Sequence, residues 1–488
     1  MKKLYISIIA LTLVSTGGCK KFLEQPPDQR TEVNSVTKVA ELLTSAYPES
    51  NYIPFMESSS DNSEDKGITY DDKDRFVTLP YSWRDNDSYD GDTPIAYWNA
   101  SYEAIAAANI ALEAIEKAED KAAYMPYKGE ALVARAYAHF MLVNIFSKVY
   151  DPATDNSSPG IPYVTQPEKV VSGQYTRGTV AAVYASIEKD LTEGLPLLKN
   201  SAYQVEKYHF NIAAAHAFAA RFFLFKQEYT KVIEHVNAIS SNSTFAAILR
   251  PWSSRYTTYT SVEMRTNFTQ ASEPSTLLLV ETESSWARTQ TPRFGFGQTL
   301  QQGMFGTANV TGKRWAHPIY SVGGVPHWSL LKWNEYFVKA SQNATIGDPY
   351  TIVPVLTADE AILNRAEAYA ATGQNTLALA DLNTFCSTRI SNYNPTTDAV
   401  TLAKIAAYYL TPDVKAGLTR TVLDFKKAEF IGEGLRWLDI IRHKLPVTHE
   451  TFTSLTTKVP QTLGPEDPRR LFQLPAQVTL SGLALNPR

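Results

Sequence analysis

Small and apolar residues recur every three or four positions through two long stretches of the chain, and that period vanishes between them. In "YWNASYEAIAAANIALEAIEKA", Tyr102, Ile105, Ala106, Asn109 and Leu112 fall on one stripe, the spacing of a helix with one buried face. "EALVARAYAHFMLVNIFSKVY" repeats the pattern with Leu132, Ala136, Tyr137, Phe140 and Val143, then stops at the turn-rich "DPATDNSSPG". Thr179 reads as the N-cap of the helix in "VAAVYASIEKDLTEGLPLL". "NIAAAHAFAARFFLFKQEYTKVIEHVNAIS" predicts a helix–turn–helix pair. The second helical stretch opens at "TADE", where Thr357 and Glu360 have capping-box spacing. It runs to Gly373, the residue expected just past a helix end, and "TLALADLNTFCSTRI" supplies a partner helix.

The two stretches echo each other. Laid ungapped, the segments from Ala220 and from Ala366 superpose Ala220 on Ala366, Phe223 on Tyr369, Val236 on Leu382 and Asn237 on Asn383. A small–aromatic helix, a polar turn and a second helix is tetratricopeptide-like. "ARAYAHFMLVNIF" from Ala134 reads as a third, partial copy. The expected fold is therefore all-α: tetratricopeptide-like helix pairs with long irregular loop regions and a few short strands, "TLLLVE" among them. Its expected parts are a helical block at about 92–240, a loop-rich ligand-face region at about 242–355, and a helical block with a Pro-rich wrapping tail at about 356–488. A loop region of that length is usually functional.

The start of the chain adds a tether. Lys2 and Lys3 precede an apolar run from Leu4 to Val14, shorter than the roughly 20 residues a spanning helix needs and suited to a secretory signal. Ser15, Thr16, Gly17 and Gly18 lead to Cys19 in the order of a bacterial lipobox, with Thr16 where a large aliphatic residue is usual. The expectation is a lipoprotein signal peptide at 1–18 and an acylated Cys19 at the head of a body spanning 19–488. The only other cysteine is Cys386, on or near the apolar face of its helix, where it reads as a small core residue.

Charge and motifs exclude more than they assign. The net charge is −4 with both signs mixed, so no basic track for nucleic acid exists. "GTANVTGKR" has five residues between its glycines, where a phosphate loop has four. "NDSYDGD" from Asn86 has a calcium loop's glycine without its acidic positions. The histidines lack zinc-ligand spacing, so neither metal nor cofactor is expected. Glu433, Arg436, Asp439 and Arg442 recur every three residues, which reads as pairing along one helix face rather than as a catalytic set.

Aromatic residues make up 11 % of the chain, including 27 Tyr and 8 Trp, and many fall where no helical period buries them. A sugar offers CH faces and hydroxyls. Flat rings beside planar polar groups answer both at low entropic cost. "YSWRDNDSYDGD" places Tyr81, Trp83, Arg84, Asn86 and Tyr89 close together. The central region supplies Trp252, Tyr256, Tyr259, Trp286, Phe294, Phe296, Trp315, Tyr320, Trp328 and Trp333. Within it, Trp286 with Arg288, and Tyr320 ahead of "GGVPHW" with Trp328, are the preferred ligand contacts. Trp98 sits on a helix and reads as core.

Six segments in order resemble the SusD/RagB family of outer-membrane nutrient-binding lipoproteins of Bacteroidota. They are "CKKFLEQPP", "YWNASYEAIAAANIAL", "EALVARAYAHFMLVNIFSKVY" with "GIPYVT", "TRGTVAAVYASIEKDL", "LNRAEAYAATG" with "ALADLN", and "KAEFIGEGLRWLDIIRHK". The resemblance implies an all-α body with tetratricopeptide-like helices on the outer cell surface, held by its lipid. It also implies a SusC-like TonB-dependent barrel transporter as partner. The implied role is non-catalytic capture of oligosaccharide or polysaccharide, with part of the site in the loop before Trp98. Alternatives are a peptide-binding component of a similar importer, or a glycoside hydrolase, which would need two loop carboxylates about 5–10 Å apart.

Overall fold

The computed structural model describes residues 33–168, 173–240, 244–289 and 291–488. The expected signal peptide and Cys19 lie outside the described residues. Helices α1 (Val36–Leu43), α2 (Ile53–Ser59) and α3 (Arg75–Tyr81) come first. They are followed by α4 (Pro94–Lys117), α5 (Met125–Phe146), α6 (Val180–Gly194), α7 (Ile212–Lys226) and α8 (Tyr229–Ile239). The central stretch holds α9 (Ser261–Phe268) and the short α10 (Gln298–Gln301). Then come α11 (Ala358–Ala371), α12 (Asn375–Ser387), α13 (Leu402–Tyr409), α14 (Val414–Glu429) and α15 (Leu435–Arg442). Among the described residues no helix is long and apolar enough to cross a membrane.

Helix ends follow the sequence closely. Thr93, Thr179, Asn211 and Thr357 each accept a hydrogen bond from a main-chain N–H in the first turn of α4, α6, α7 and α11, satisfying a donor the helix cannot use. The internal echo is a true structural repeat. Gln227 and Gly373, equivalent in the ungapped alignment, both turn left-handed, at φ 59° and 75°. The amide after each then returns to the ring-bearing residue, Glu228 N to Phe223 O at 2.9 Å and Gln374 N to Tyr369 O at 2.8 Å. Glycine does this freely, whereas a residue with a Cβ loses roughly 1–2 kcal/mol.

A second repeat ties the helices sideways. Arg135 of α5 clasps Asp190 of α6 through Nε and Nη2 at 2.7 and 2.8 Å, and its Nη1 reaches Asn109 of α4 at 2.7 Å. Arg365 of α11 clasps Asp381 of α12 at 2.8 and 2.7 Å, and its Nη1 reaches Asn237 of α8 at 2.6 Å. In the first clamp the three helices are consecutive. In the second, the whole central stretch is inserted between α8 and α11, which still pack together. The irregular region is thus a large excursion from an otherwise continuous helical frame.

Tertiary contact overrides several local expectations. Thr357 caps α11, but Glu360 does not complete the capping box. Its carboxylate accepts from Arg221 Nε and Nη2 at 2.7 and 2.5 Å. A complete box stands instead at Thr260 and Glu263, opening α9 in the stretch where no helix was expected. Of the expected charge ladder, only Asp439 and Arg442 pair within α15. Glu433 pairs with Lys332, Arg436 with Asp61, and Arg442 also with Glu367, because the helix is buried and its charges meet partners on other elements.

Strands β2 (Thr276–Glu283), β6 (Glu335–Lys339) and β7 (Gly347–Thr357) form an antiparallel sheet with β7 in the middle. The expected "TLLLVE" strand is β2, whose apolar residues are buried throughout. Short ladders join β1 (Glu64–Asp65) to β3 (Phe294–Gly295), β4 (Tyr320–Ser321) to β5 (Trp328–Ser329), and β8 (Val447–Phe452) to β9 (Lys458–Leu463). Cys386 is fully buried, and burial pushes its thiol pKa up. The tail closes over the body, with Asn486 Nδ2 donating to Phe146 O at 2.9 Å and Arg488 pairing with Asp85.

Candidate functional site

The sequence-predicted rings divide into two groups. Trp252, Trp315 and Trp333 are core, at 0 %, 8 % and 6 % exposure. The indole of Trp252 donates to Glu429 Oε1 at 2.9 Å, inside a buried set that also holds Arg389 and His317. Tyr81 and Trp83 are buried as well, at 1 % and 5 %, which corrects the expectation of bare loop faces. Tyr81 ends helix α3, and both rings stack on His449 of β8, at 4.1 and 4.6 Å between centroids. Phe294 covers the other face of Tyr81 at 4.2 Å. The Trp83 indole donates to Ser59 O at 3.0 Å, and its backbone is left-handed at φ 50°. The hairpin carrying His449 lies over 360 residues away along the chain, so no local pattern could reveal this stack.

Asn86 is buried and lines a polar bowl of about 340 Å³ with Asp74, Arg75 and Ser285. In that bowl Asp92, the last residue of "NDSYDGD", accepts from Ser284 Oγ and from the N–H and hydroxyl of Ser285 at 2.7 to 3.0 Å. Burial, countered by these hydrogen bonds, raises its pKa to about 6. Arg84 and Tyr89 are exposed and line neither this bowl nor the cleft described next. Arg288 is exposed but engaged, its Nε donating to Glu335 Oε2 at 2.6 Å. Tyr320 is half-buried, with its hydroxyl on Tyr259 O at 3.3 Å. Neither Arg288 nor Tyr320 lines the cleft.

Trp286 and Trp328 do come together. They line a cleft of about 70 Å³ with Phe294, Phe296, Thr289 and Lys66. Both indoles are part-exposed and pinned by their N–H groups, Trp286 to Gly432 O at 3.2 Å and Trp328 to Gln298 Oε1 at 2.9 Å. The Gly432 carbonyl also accepts from Trp333 at 3.2 Å. Its loop is fixed from below, where Glu57 accepts from Gly432 N at 2.7 Å and Gly434 N at 2.9 Å. Burial raises the Glu57 carboxyl to about 7 against these bonds. Gly434 sits at φ 72°, and a Cβ there would come within 3.0 Å of Ile53 Cα, so the loop's close approach to α2 requires glycine. The "FIGEG" segment noted in the sequence is therefore the anchor of Trp286. Lys66 carried no sequence signal.

The cleft is smaller than the roughly 300–1,000 Å³ of an enclosing small-molecule site. It can accept a ring edge or a substituent while the remainder of a ligand lies across the surface. The pinned indoles offer rigid faces with little rotamer entropy left to lose.

Residues 21–224 match the SusD-like family described as starch-binding and associating with the outer membrane. That match covers the N-terminal part of the chain, and the likeness of the whole chain is one of fold. Solved structures of similar fold include a SusD superfamily protein from Bacteroides vulgatus ATCC 8482, at 17 % identity and a TM-score of 0.67, covering 93 % of this chain and 99 % of that one. A SusD-like carbohydrate binding protein from the same organism has 16 % identity and a TM-score of 0.64, covering 92 % and 96 %. A laminarin-binding SusD-like protein has 16 % identity and a TM-score of 0.63, covering 92 % and 99 %. At these identities the likeness shows the SusD-like fold. No curated protein matches the chain significantly.

Proposed function

We propose that this SusD-like protein is a cell-surface lipoprotein that binds oligosaccharide or polysaccharide and passes it, without cleaving it, to a SusC-like TonB-dependent transporter in the outer membrane. The observation that carries the reading is the cleft itself. Two tryptophans singled out in the sequence as ligand contacts lie on separate loops of the central excursion and line one opening, each held by its indole N–H with ring surface exposed. The match of residues 21–224 to a family described as starch-binding and associating with the outer membrane supports the substrate class and the location. The signal-like start and Cys19 support the anchor.

Calorimetry of the mature chain against a broad glycan panel tests it. Trp328→Ala is expected to weaken binding about tenfold or more, a loss of about 1.4 kcal/mol, while thermal unfolding stays close to wild type. Unchanged binding in both Trp328→Ala and Trp286→Ala would remove the cleft from the mechanism. Turnover of any glycan by the purified protein would favour the hydrolase reading.

A further inference from the structure

Among the described residues lining the cleft, Lys66 is the charged side chain that has no hydrogen bond or ion pair. Its main-chain N–H donates to Arg293 O at 2.9 Å, so the side chain leaves from a fixed point beside the β1–β3 ladder. Gly295 of β3 lies against the ammonium, and the Cβ that glycine lacks would stand 3.7 Å from Nζ. The amine lines the cleft with Trp286, Phe296 and Trp328. Removal from water lowers its pKa from 10.5 to about 7, with the field of Glu64 opposing.

Comparison with the other cations makes this unusual. Burial also lowers the pKa of Arg177, Lys207 and Arg470, but each donates to main-chain carbonyls, such as Gly160 O at 2.6 Å, Glu273 O at 2.7 Å and Gly464 O at 2.6 Å. Lys332, deeper in the same cleft, holds Glu433 Oε1 at 2.6 Å and two carbonyls. Among the described residues the Lys66 ammonium has neither a hydrogen bond nor an ion pair. The charged groups around it leave it free. Glu64 accepts from Thr299 N at 2.8 Å, and Glu57 is spent on Gly432 and Gly434. Arg293 is paired with Asp65, and His327 is held neutral, its pKa lowered to about 4 by burial and by Lys66 itself. An ammonium has three donors and no acceptor, and a half-desolvated one gains most from an anion, whose charge-assisted bonds are about twice as strong as neutral ones.

We propose that Lys66 is a specificity-determining residue that receives an acidic substituent, a carboxylate or a sulfate ester, on a sugar lying against Trp286 and Trp328, so that the ligand is an anionic glycan. This rests on the reading of the cleft as a glycan site. It assigns the ligand class within that site.

The mature chain and its Lys66→Gln, Lys66→Arg and Trp328→Ala variants would be titrated with galacturonan and a sulfated galactan as acidic polymers, and with unsulfated galactan and laminarin as neutral ones. Wild type at pH 6 is expected to bind an acidic polymer about tenfold tighter than its neutral counterpart. Lys66→Gln should lose that margin and keep neutral binding, and Lys66→Arg should retain it. Raising the pH from 6 to 8 should weaken acidic binding in wild type and leave Lys66→Arg unaffected. Preference for galacturonan identifies the anion as carboxylate; preference for the sulfated galactan identifies it as a sulfate ester. Equal binding of acidic and neutral polymers, unaltered in Lys66→Gln but lost in Trp328→Ala, overturns the anion assignment and leaves the glycan site standing. Failure of every polymer to bind overturns both.

Discussion

Arg365 and Lys66 are both cations drawn out of water, and the protein treats them in opposite ways. Arg365, in the helical frame, is 1 % exposed and has its guanidinium filled by Asp381 and Asn237. Lys66, just after β1, lines a cleft with no partner among the described residues. The same contrast separates Trp83, sealed in a stack with His449, from Trp328, pinned at its N–H but open at its face. The frame satisfies its polar groups internally. The rim holds a few in place and leaves them unsatisfied, which is the arrangement a binding surface needs.

That contrast can be broken from the frame side first. Arg365→Ala would leave Asp381 buried without its counter-charge, an expected loss of about 3–5 kcal/mol, read as a lower urea midpoint at unchanged slope. Trp83→Ala would empty the stack on His449 and is also expected to cost about 3–5 kcal/mol. If it lost glycan binding with its melting temperature intact, Trp83 would belong to the rim after all. Acid should attack the frame next. Burial alone would raise the carboxyls of Glu367 and Glu429, but Arg442, Lys426 and His443 hold the first well below 4.5, and Arg389 and His317 hold the second there. The unfolded chain therefore binds more protons below pH 4.5. The stability these groups give is present above that value and drains away as the pH falls toward their folded pKa. Urea midpoints between pH 6 and 3 should show it, and a flat profile would contradict it.

The rim variants sharpen the comparison with smaller effects on stability. Trp328→Ala should stay within about 1 kcal/mol of wild type. Lys66→Met should be more stable than wild type at neutral pH, where the buried ammonium costs the folded state, and should alter a slope. With a folded pKa of about 7 against 10.5 when free, the unfolded chain binds the extra proton between those values. Wild-type stability should therefore rise with pH across that window, and Lys66→Met should flatten the rise. A slope identical in both proteins would show that Lys66 is solvated.

Much of the frame was legible. The turns at Gln227 and Gly373, the caps at Thr179 and Thr357 and the burial of Cys386 all follow from short-range pattern, because a helix end or a helix face is decided within a few residues. The site was legible only in part. Trp286 and Trp328 were identifiable as rings outside any helical period. Tyr81 and Trp83 looked the same and proved to be core, because the ring that covers them arrives from β8. Arg288 looked free and is held by Glu335. Lys66 gave no signal, since an unpaired lysine in a loop is ordinary until folding sets it in a cleft lined by aromatic rings.

The sequence by itself determined the main helical stretches, several of their ends, that helix pairs repeat, and that a long excursion interrupts them. Those properties depend on period and capping, which act over one or two turns. Only the tertiary structure decided which rings face water, which charges find partners, and that Glu360 serves Arg221 rather than its own helix. Each of those outcomes depends on a group supplied from a distant part of the chain. The desolvation that drives it exists only once the elements have packed.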